Sequence, residues 1–217
     1  MFLFDMTGFL FDLDGVLIDS ELEYSKIWAN INQEFPTGVD QLEKLIKGTT
    51  LDQILNTYFP DSYTRKAVAE KLHILESRMH YEFLPGAYEF LIEIKKRKFP
   101  LALVTSSDNK KMKHLNDEIP GFTDLFDFLV TAEYVKTSKP SPEGYLLAAS
   151  KIGVKPRNCV VFEDSLQGVM AGKNADSYVV GVVGTLDAET ISPYSDILVS
   201  SLGEIDLENL TQEVIKR

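Results

Sequence analysis

The pattern of apolar and polar positions divides the chain into a helical stretch and a stretch in which strands and helices alternate. A short apolar run, Phe9 to Phe11, predicts a buried strand near the N-terminus. From Glu21 to about Phe83, apolar residues recur three or four positions apart, as Val68 and Leu72 do, and no run predicts a strand. Because structureless loops of this length are uncommon in compact domains, we expect a bundle of helices here.

After Leu84-Pro85-Gly86, short apolar runs alternate with amphipathic segments. The runs predict strands at 101–104, 126–130, 159–162, 178–182 and 196–199. Such alternation is typical of a parallel sheet with helices on both faces. The sequence therefore predicts an α/β fold with a parallel-sheet core domain at residues 1–19 and 84–217. An all-α cap domain is inserted at residues 20–83, and we expect it to close over the core, hinging near 18–20 and 83–86.

Two aspartates end the first predicted strand. Asp12 and Asp14 are one residue apart and are followed by Gly15. Residues i and i+2 of an extended backbone lie on one face, so both carboxylates can converge beyond the strand, where ligands bind in open α/β sheets. Carboxylates this close repel each other unless a cation or a shared proton offsets the repulsion. A simple acidic turn is the alternative, because Asp and Gly are common turn residues.

The first residues contain a near-repeat of this stretch. Residues 2–8 nearly repeat residues 9–15, but Thr7 stands at the position that corresponds to Asp14. Only the second copy carries the carboxylate pair. We therefore assign the site to Asp12 and Asp14 rather than to Asp5, and we interpret the first copy as an N-terminal extension or a lead-in strand.

Polar groups also follow two of the later predicted strands. Thr105-Ser106 follows one strand, Glu163-Asp164 follows another, and Lys139 lies in a loop before a helix. In a parallel sheet these residues share the C-terminal edge with Asp12 and Asp14. Each has a simpler alternative, because hydroxyls and carboxylates cap helices and most lysines in loops are solvated. The complete set is more informative than any one member.

As a set, these residues suit phosphoryl transfer. Carboxylate oxygens are ligands for Mg²⁺, which neutralises both the acidic cluster and a phosphate. Thr105 and backbone amides near Ser106 can hold phosphate oxygens, and Lys139 supplies positive charge where the transition state gathers negative charge. One aspartate can act as the nucleophile, and the other can protonate the leaving oxygen and then activate water.

At these positions the sequence resembles the haloacid dehalogenase superfamily, in the branch with a helical cap inserted after the first motif. The matching motifs are, in chain order, Asp12-Leu13-Asp14-Gly15-Val16, Thr105-Ser106, Lys139-Pro140 and Glu163-Asp164. The resemblance implies a Rossmann-like core, with Asp12 as nucleophile and Asp14 as general acid/base. It implies Mg²⁺ bound by Asp12, the backbone carbonyl of Asp14, and Asp164, with support from Glu163. It also implies phosphate contacts from Thr105, Ser106 and Lys139.

The chain looks like the subgroup that contains β-phosphoglucomutase and its sugar-phosphatase relatives. Lys47-Gly48 resembles the cap loop of that subgroup, and Asn109 matches a core position near the substrate. Tyr24, however, stands where the mutase has His, and the Arg of the mutase cap loop falls near Leu51. The resemblance implies that a mutase uses these two residues to gate the acid/base and to hold a second phosphate. Their absence favours a phosphatase, because a mutase must keep its phospho-enzyme from water. We therefore predict a Mg²⁺-dependent phosphatase acting through an aspartyl-phosphate on a small phosphorylated metabolite of the sugar-phosphate type, with β-phosphoglucomutase as the alternative.

Two further classes fit less well. A dehalogenase needs no Mg²⁺ and lacks the second aspartate, whereas Asp14 is present. A non-catalytic phospho-receiver can use an acidic Mg²⁺ site but has no need of an inserted helical cap.

Composition and charge limit the classes of binding partner and indicate the cellular compartment. The 217 residues carry a net charge of −11, so a nucleic acid or an anionic membrane, each of which requires a basic face, is an unexpected partner. The one cysteine, Cys159, lies in an apolar run, which predicts a buried structural residue. The apolar N-terminus carries Asp5 and Asp12 and no basic residue, unlike a signal peptide, and no apolar run is long enough to span a bilayer. We expect a cytoplasmic monomer.

Overall fold

A computed structural model describes residues 6–216 of the chain, and these form one six-stranded sheet. The strands are β1 Gly8–Phe11, β2 Leu101–Val104, β3 Phe128–Val130, β4 Cys159–Glu163, β5 Tyr178–Val182 and β6 Ile197–Val199. Every neighbouring pair is parallel, and the order is β3-β2-β1-β4-β5-β6. The order reverses between β1 and β4, and ligands bind beyond the carboxyl ends of the strands at such a switch point.

Helices surround the sheet, and four of them lie in one insertion. Helices α1 to α4 follow β1, and their bounds are Glu21–Glu34, Leu42–Leu45, Leu51–Tyr58 and Ser62–Glu76. Helices α5 to α10 alternate with the later strands, and their bounds are Ala87–Lys96, Asn109–Glu118, Glu143–Lys151, Leu166–Asn174, Ala188–Ile191 and Leu207–Lys216. The predicted fold class, a Rossmann-like parallel sheet with an all-helical insertion, is confirmed. We call α1 to α4 the helical insert.

The central strands are buried on both faces, which explains their continuous apolar sequence. Alternate residues serve opposite faces: Phe9 and Phe11 pack with the cluster that includes α5, whereas Leu10 packs with the cluster that includes α7. The rings of Phe11 and Phe162 stack with centroids 4.2 Å apart. This contact joins β1 to β4 one residue before Asp12 and Glu163, so core packing sets the relative position of these two carboxylates.

The chain leaves the core and returns to it at one place. The amide of Asp19 donates to the carbonyl of Glu82 at 3.0 Å, and the amide of Leu84 donates to the carbonyl of Leu17 at 2.8 Å. Ile18 and Phe83 form an antiparallel bridge between these bonds. We call residues 17–19 and 82–84 the hinge pair. The division into two movable domains here stays a prediction.

A local expectation at β3 differs from the structure. The strand expected at 126–130 begins only at Phe128, because Phe126 follows a 3₁₀ turn and packs against Phe122. The N-terminal near-repeat lies largely outside the described residues, so its interpretation also stays a prediction. No helix in residues 6–216 combines the length and the apolar character needed to cross a bilayer.

Candidate active site

Three acidic side chains meet at the switch point of the sheet. Asp12 follows β1, and its amide donates to the carbonyl of Phe162 in β4 at 3.0 Å. Glu163 ends β4, and Asp164 comes directly after it. Carboxylate oxygens of Asp12, Glu163 and Asp164 all lie within 4.8 Å of one another, and all three residues are buried. The structure thus brings together Asp12 of the first predicted motif and both acidic residues of the last.

Lys139 joins two of these carboxylates. Its Nζ lies 2.5 Å from Oδ1 of Asp12 and 2.5 Å from Oε1 of Glu163, and it also donates to the carbonyl of Val104 at 3.2 Å. Burial alone would lower the pKa of Lys139, but the charges of Asp12 and Glu163 outweigh burial and raise it. The lysine therefore stays positively charged beside the predicted nucleophile.

The three acidic residues differ in how many of their carboxylate oxygens have hydrogen-bond partners. Glu163 is fully buried and accepts hydrogen bonds from the Tyr145 hydroxyl at 2.5 Å and the Ser165 hydroxyl at 3.1 Å. Burial raises the pKa of Asp12 to about 7 although Lys139 opposes this change. Burial, followed by the charge of Asp12, raises the pKa of Asp164 well above its ordinary value. Oδ2 of Asp164 is buried without any hydrogen-bond partner.

This unpartnered oxygen makes the site suitable for a hard cation. A buried carboxylate oxygen without a donor is costly, and carboxylate oxygens are the ligands that Mg²⁺ and Ca²⁺ prefer. Gly15 has a φ of +73° and leaves space beside this oxygen, since a Cβ at this position would lie 2.0 Å from it. Asp12, Glu163 and Asp164 are therefore the described side chains that fit a divalent metal ion.

Asp14 has a separate set of partners. Its Oδ1 and Oδ2 lie 2.7 Å and 2.6 Å from Nζ of Lys111, and it also accepts from the hydroxyls of Ser20 and, at 3.3 Å, Ser107. The Asp14 carboxylate is thus turned away from the acidic cluster. Its expected role as a metal ligand concerns its backbone carbonyl and stays a prediction.

A cavity of about 120 Å³ lies between the sheet edge and the helical insert. The residues that line it from the core include Asp12, Asp14, Ser106 and Asp164. From the insert it is lined by Lys47, Gly48, Tyr24, Trp28, Leu51 and Glu76. Ser106 donates through Oγ to the carbonyl of Gly48 at 2.8 Å, and Lys47 forms an ion pair with Glu21. The cap loop named from the sequence therefore reaches the core site.

Two predicted phosphate or substrate residues lie outside this cavity. Thr105 is buried, and its Oγ1 accepts from the amide of Ser107 at 3.0 Å; it lines a smaller space together with Lys139. Asn109 is exposed, and its Oδ1 accepts from the Thr131 hydroxyl at 3.1 Å. The structure does not bring the Asn109 side chain to the cavity.

Sequence reasoning missed Lys111, Glu76 and Trp28. A lysine in the first turn of α6 opposes the helix dipole, which is a local signal that Lys111 has a partner elsewhere. Glu76 lies four residues after the buried Leu72 and therefore on the inward face of α4. A search for apolar residues at helical spacing does not find it, because Glu76 is charged. Trp28 lies in α1, and nothing in the local sequence indicates that it faces the site.

Comparisons with known proteins agree with this geometry. Residues 6–176 match the family model of haloacid dehalogenase-like hydrolases. Hexitol phosphatase A of Escherichia coli is 32% identical over 202 residues, which cover 91% of this chain and 92% of that protein. Validoxylamine A 7′-phosphate phosphatase of Streptomyces hygroscopicus is 37% identical over 120 residues, but this match spans only 55% of either chain. The crystal structure of β-phosphoglucomutase from Clostridium difficile covers 97% of each chain with a TM-score of 0.80 and 26% identity.

The chain belongs to the haloacid dehalogenase-like hydrolase family. It is an enzyme of that family, and the curated relatives reported above are named phosphatases. The predicted membership is confirmed, as is the similarity to both β-phosphoglucomutase and the sugar phosphatases.

Proposed function

We propose that this protein is a Mg²⁺-dependent phosphatase that hydrolyses a small phosphorylated metabolite of the sugar-phosphate type. The observation that carries the proposal is the buried group of Asp12, Lys139, Glu163 and Asp164, in which one cation contacts two of three carboxylates and one carboxylate oxygen has no partner. When bound there, Mg²⁺ would supply positive charge to the carboxylates and to the phosphate of the substrate.

The residues present can carry out the reaction in two steps. A carboxylate oxygen of Asp12 attacks phosphorus, the bond to the leaving oxygen breaks, and Asp14 gives that oxygen its proton. Asp14 then takes a proton from water as the water oxygen attacks phosphorus and the bond to Asp12 breaks. Lys139 lies 2.5 Å from Oδ1 of Asp12 and supplies positive charge at the nucleophile in both steps.

The cavity favours a phosphatase over the alternative, a β-phosphoglucomutase. The described cations that line it are Lys47 and Lys111, and each is already paired with a carboxylate, Glu21 and Asp14 respectively. A mutase must hold a second phosphate, which needs an available cation. Tyr24, which stands where the mutase has His, and Leu51, near which the Arg of the mutase cap loop falls, both line the cavity. The name of the hexitol phosphatase relative supports a carbohydrate phosphate as the substrate.

The test is turnover of phosphate esters by the purified protein with Mg²⁺. We expect inorganic phosphate from hexitol and hexose monophosphates, and from β-glucose 1-phosphate without accumulation of glucose 6-phosphate. Glucose 6-phosphate formed without phosphate release would favour the mutase instead. Undiminished turnover in excess chelator would reject the metal dependence.

Asp12→Asn tests the nucleophile, because the amide cannot form the acyl phosphate. We expect kcat to fall by at least about 1,000-fold. Asp5→Asn is the matched control, since Asp5 occupies the corresponding position of the near-repeat, and it should keep the parent rate. Full phosphatase activity in Asp12→Asn, or loss of activity in Asp5→Asn alone, would contradict the assignment of Asp12 as the nucleophile.

A further inference from the structure

Lys111 is a buried charged residue outside the four sequence motifs. It lies in the first turn of α6, and only 4% of its side chain is exposed. Its Nζ contacts both carboxylate oxygens of Asp14, at 2.6 and 2.7 Å, and lies 4.1 Å from the centroid of the Tyr24 ring. The adjacent Lys110 is exposed.

Fold stability does not account for this lysine. A cation in the first turn of a helix faces the positive end of the helix dipole, and burying an ammonium group costs free energy that an ion pair at best offsets. An apolar residue at the same position of α6 would avoid both costs. The position of Lys111 therefore needs an explanation from the chemistry of the site.

We propose that Lys111 is a positioning residue for Asp14. This inference rests on the proposed function, in which Asp14 exchanges protons first with the leaving oxygen and then with water. The ammonium group holds both Asp14 oxygens beside the cavity and away from Asp12, Glu163 and Asp164, where the carboxylate could otherwise compete for the bound metal. Ser20 and Ser107 complete the set of donors around Asp14.

The helical insert completes this arrangement. Tyr24 belongs to α1, and its ring covers the ammonium of Lys111 through a cation–π contact. The Tyr24 hydroxyl donates to Oε1 of Glu76 in α4 at 2.6 Å, which fixes the ring. Lys111 and Asp14 belong to the core, whereas Tyr24 and Glu76 belong to the insert. Correct orientation of Asp14 therefore depends on the insert lying over the core.

The experiment compares Lys111→Met with Lys110→Met, the exposed neighbour, in the full-length protein with Mg²⁺. Steady-state kcat and KM are measured with a hexitol phosphate and with p-nitrophenyl phosphate, and rapid quench follows the aspartyl-phosphate. Lys111→Met should lower kcat for the hexitol phosphate by about 10- to 100-fold and change KM by less than about threefold, because proton transfer is impaired and binding is not. Lys110→Met should match the parent.

The two substrates separate the two proton transfers. p-Nitrophenolate leaves without a proton, so phosphorylation of Lys111→Met by this ester should keep the parent rate while hydrolysis of the aspartyl-phosphate slows. A burst of p-nitrophenol followed by slow turnover is therefore expected. Lys111→Arg, which keeps the charge but presents a planar group, should recover part of the hydrolysis rate. Tyr24→Phe, which removes the contact with Glu76, should slow hydrolysis in the same direction by less than Lys111→Met does.

The inference is overturned if Lys111→Met behaves like Lys110→Met. It is also overturned if Lys111→Met raises KM as much as it lowers kcat and leaves the aspartyl-phosphate lifetime unchanged, since Lys111 would then bind substrate. If Lys111→Met does not fold, parent-like kinetics in both Lys111→Arg and Tyr24→Phe overturn it instead. If the parent protein releases no phosphate from any ester, the proposed function is overturned and this inference with it. The parent enzyme therefore tells a failure of the proposed function from a failure of the inference alone.

Discussion

At the scale of single residues, the site is poorly balanced in charge when no metal is bound. Lys139 contacts the carboxylates of Asp12 and Glu163, and Asp164 lies beside them. Without a metal the cluster must either keep buried like charges or take up protons, as the raised pKa values of Asp12 and Asp164 indicate, and either raises the free energy of the folded state. The acidic cluster therefore costs stability in the metal-free protein, as expected of residues kept for chemistry rather than for folding.

Asp164→Asn tests this cost. The amide has nearly the shape of the carboxylate but no charge, so we expect the unfolding temperature in chelator to rise by about 3–6 °C. We expect Mg²⁺ to raise the unfolding temperature of the parent and to raise that of Asp164→Asn much less, because the amide is a weaker ligand than the carboxylate. Calorimetry with and without Mg²⁺ measures both effects.

The control for this prediction is Asp40→Asn, which removes an exposed acid and should change neither temperature. A lower unfolding temperature of Asp164→Asn in chelator would show that the Asp164 carboxylate stabilises the metal-free fold.

At the scale of secondary structure, the start of α8 is shaped around Glu163. Ser165 caps the helix by accepting from the amide of Gly168 at 3.0 Å. Gly168 has no side chain, and the Glu163 carboxylate occupies the space that a Cβ would need, with its Cδ 1.9 Å from that position. The backbone of α8 thus forms one wall of the buried acidic cluster.

Gly168→Ala should therefore reverse the usual effect of this substitution. Replacing glycine by alanine inside a helix normally stabilises it by about 1 kcal/mol. Here the methyl group would displace Glu163 and the contact of Glu163 with Lys139, so we expect a loss of about 1–3 kcal/mol and a lower kcat. Urea unfolding and phosphate release measure the two effects.

Gly184→Ala is the matched control, since no atom lies within 4 Å of the Cβ it would add and its φ is not positive. Equal stability of the two variants would mean that Glu163 has room to move.

Residues at strand ends could be placed from the sequence, whereas contacts between helices could not. Asp12 and Asp164 were predictable because each follows a strand, and the parallel sheet places all such ends at one edge. Glu76 was not, because it reaches the site through the packing of α4 against α6, which no local pattern contains. For Lys111, the first turn of α6 indicates that the lysine has a partner but not which residue the partner is. Asn109 is the reverse case. Its position in the sequence implied a role near the substrate, but its side chain accepts a hydrogen bond from Thr131 instead.

At the scale of the whole molecule, the helical insert lies against the core, and residues of both line one cavity. Ser106 donates to the carbonyl of Gly48, Ser138 hydrogen-bonds Gln53, and Nε2 of His73 lies 3.7 Å from Oδ2 of Asp108. These three contacts are polar, and contacts of this kind are readily exchanged for water, although apolar residues of the insert and the core also belong to one hydrophobic cluster. They are consistent with an insert that opens to admit substrate and closes for the reaction.

Trp28 should report this movement. It is the only tryptophan of the chain, it lies on α1, and it lines the cavity while only 5% of it is exposed. Adding a hexitol phosphate and Mg²⁺ to Asp12→Asn should change the wavelength and intensity of its fluorescence, because the ligand alters the balance between the open and closed forms.

The control is Trp28→Phe, which should give no corresponding signal. Unchanged emission at a ligand concentration that calorimetry shows to be saturating would count against closure.

The hinge pair has a consequence for how this architecture diversifies. Because residues 17–19 and 82–84 lie side by side, the chain returns to the point at which it left the core. An insertion with adjacent ends places few constraints on what lies between them. Natural selection can lengthen, shorten or replace the inserted helices while the strand ends and the carboxylates that follow them keep their positions. If these carboxylates act as proposed, one reaction at the sheet edge can acquire many substrates through changes in the insert alone.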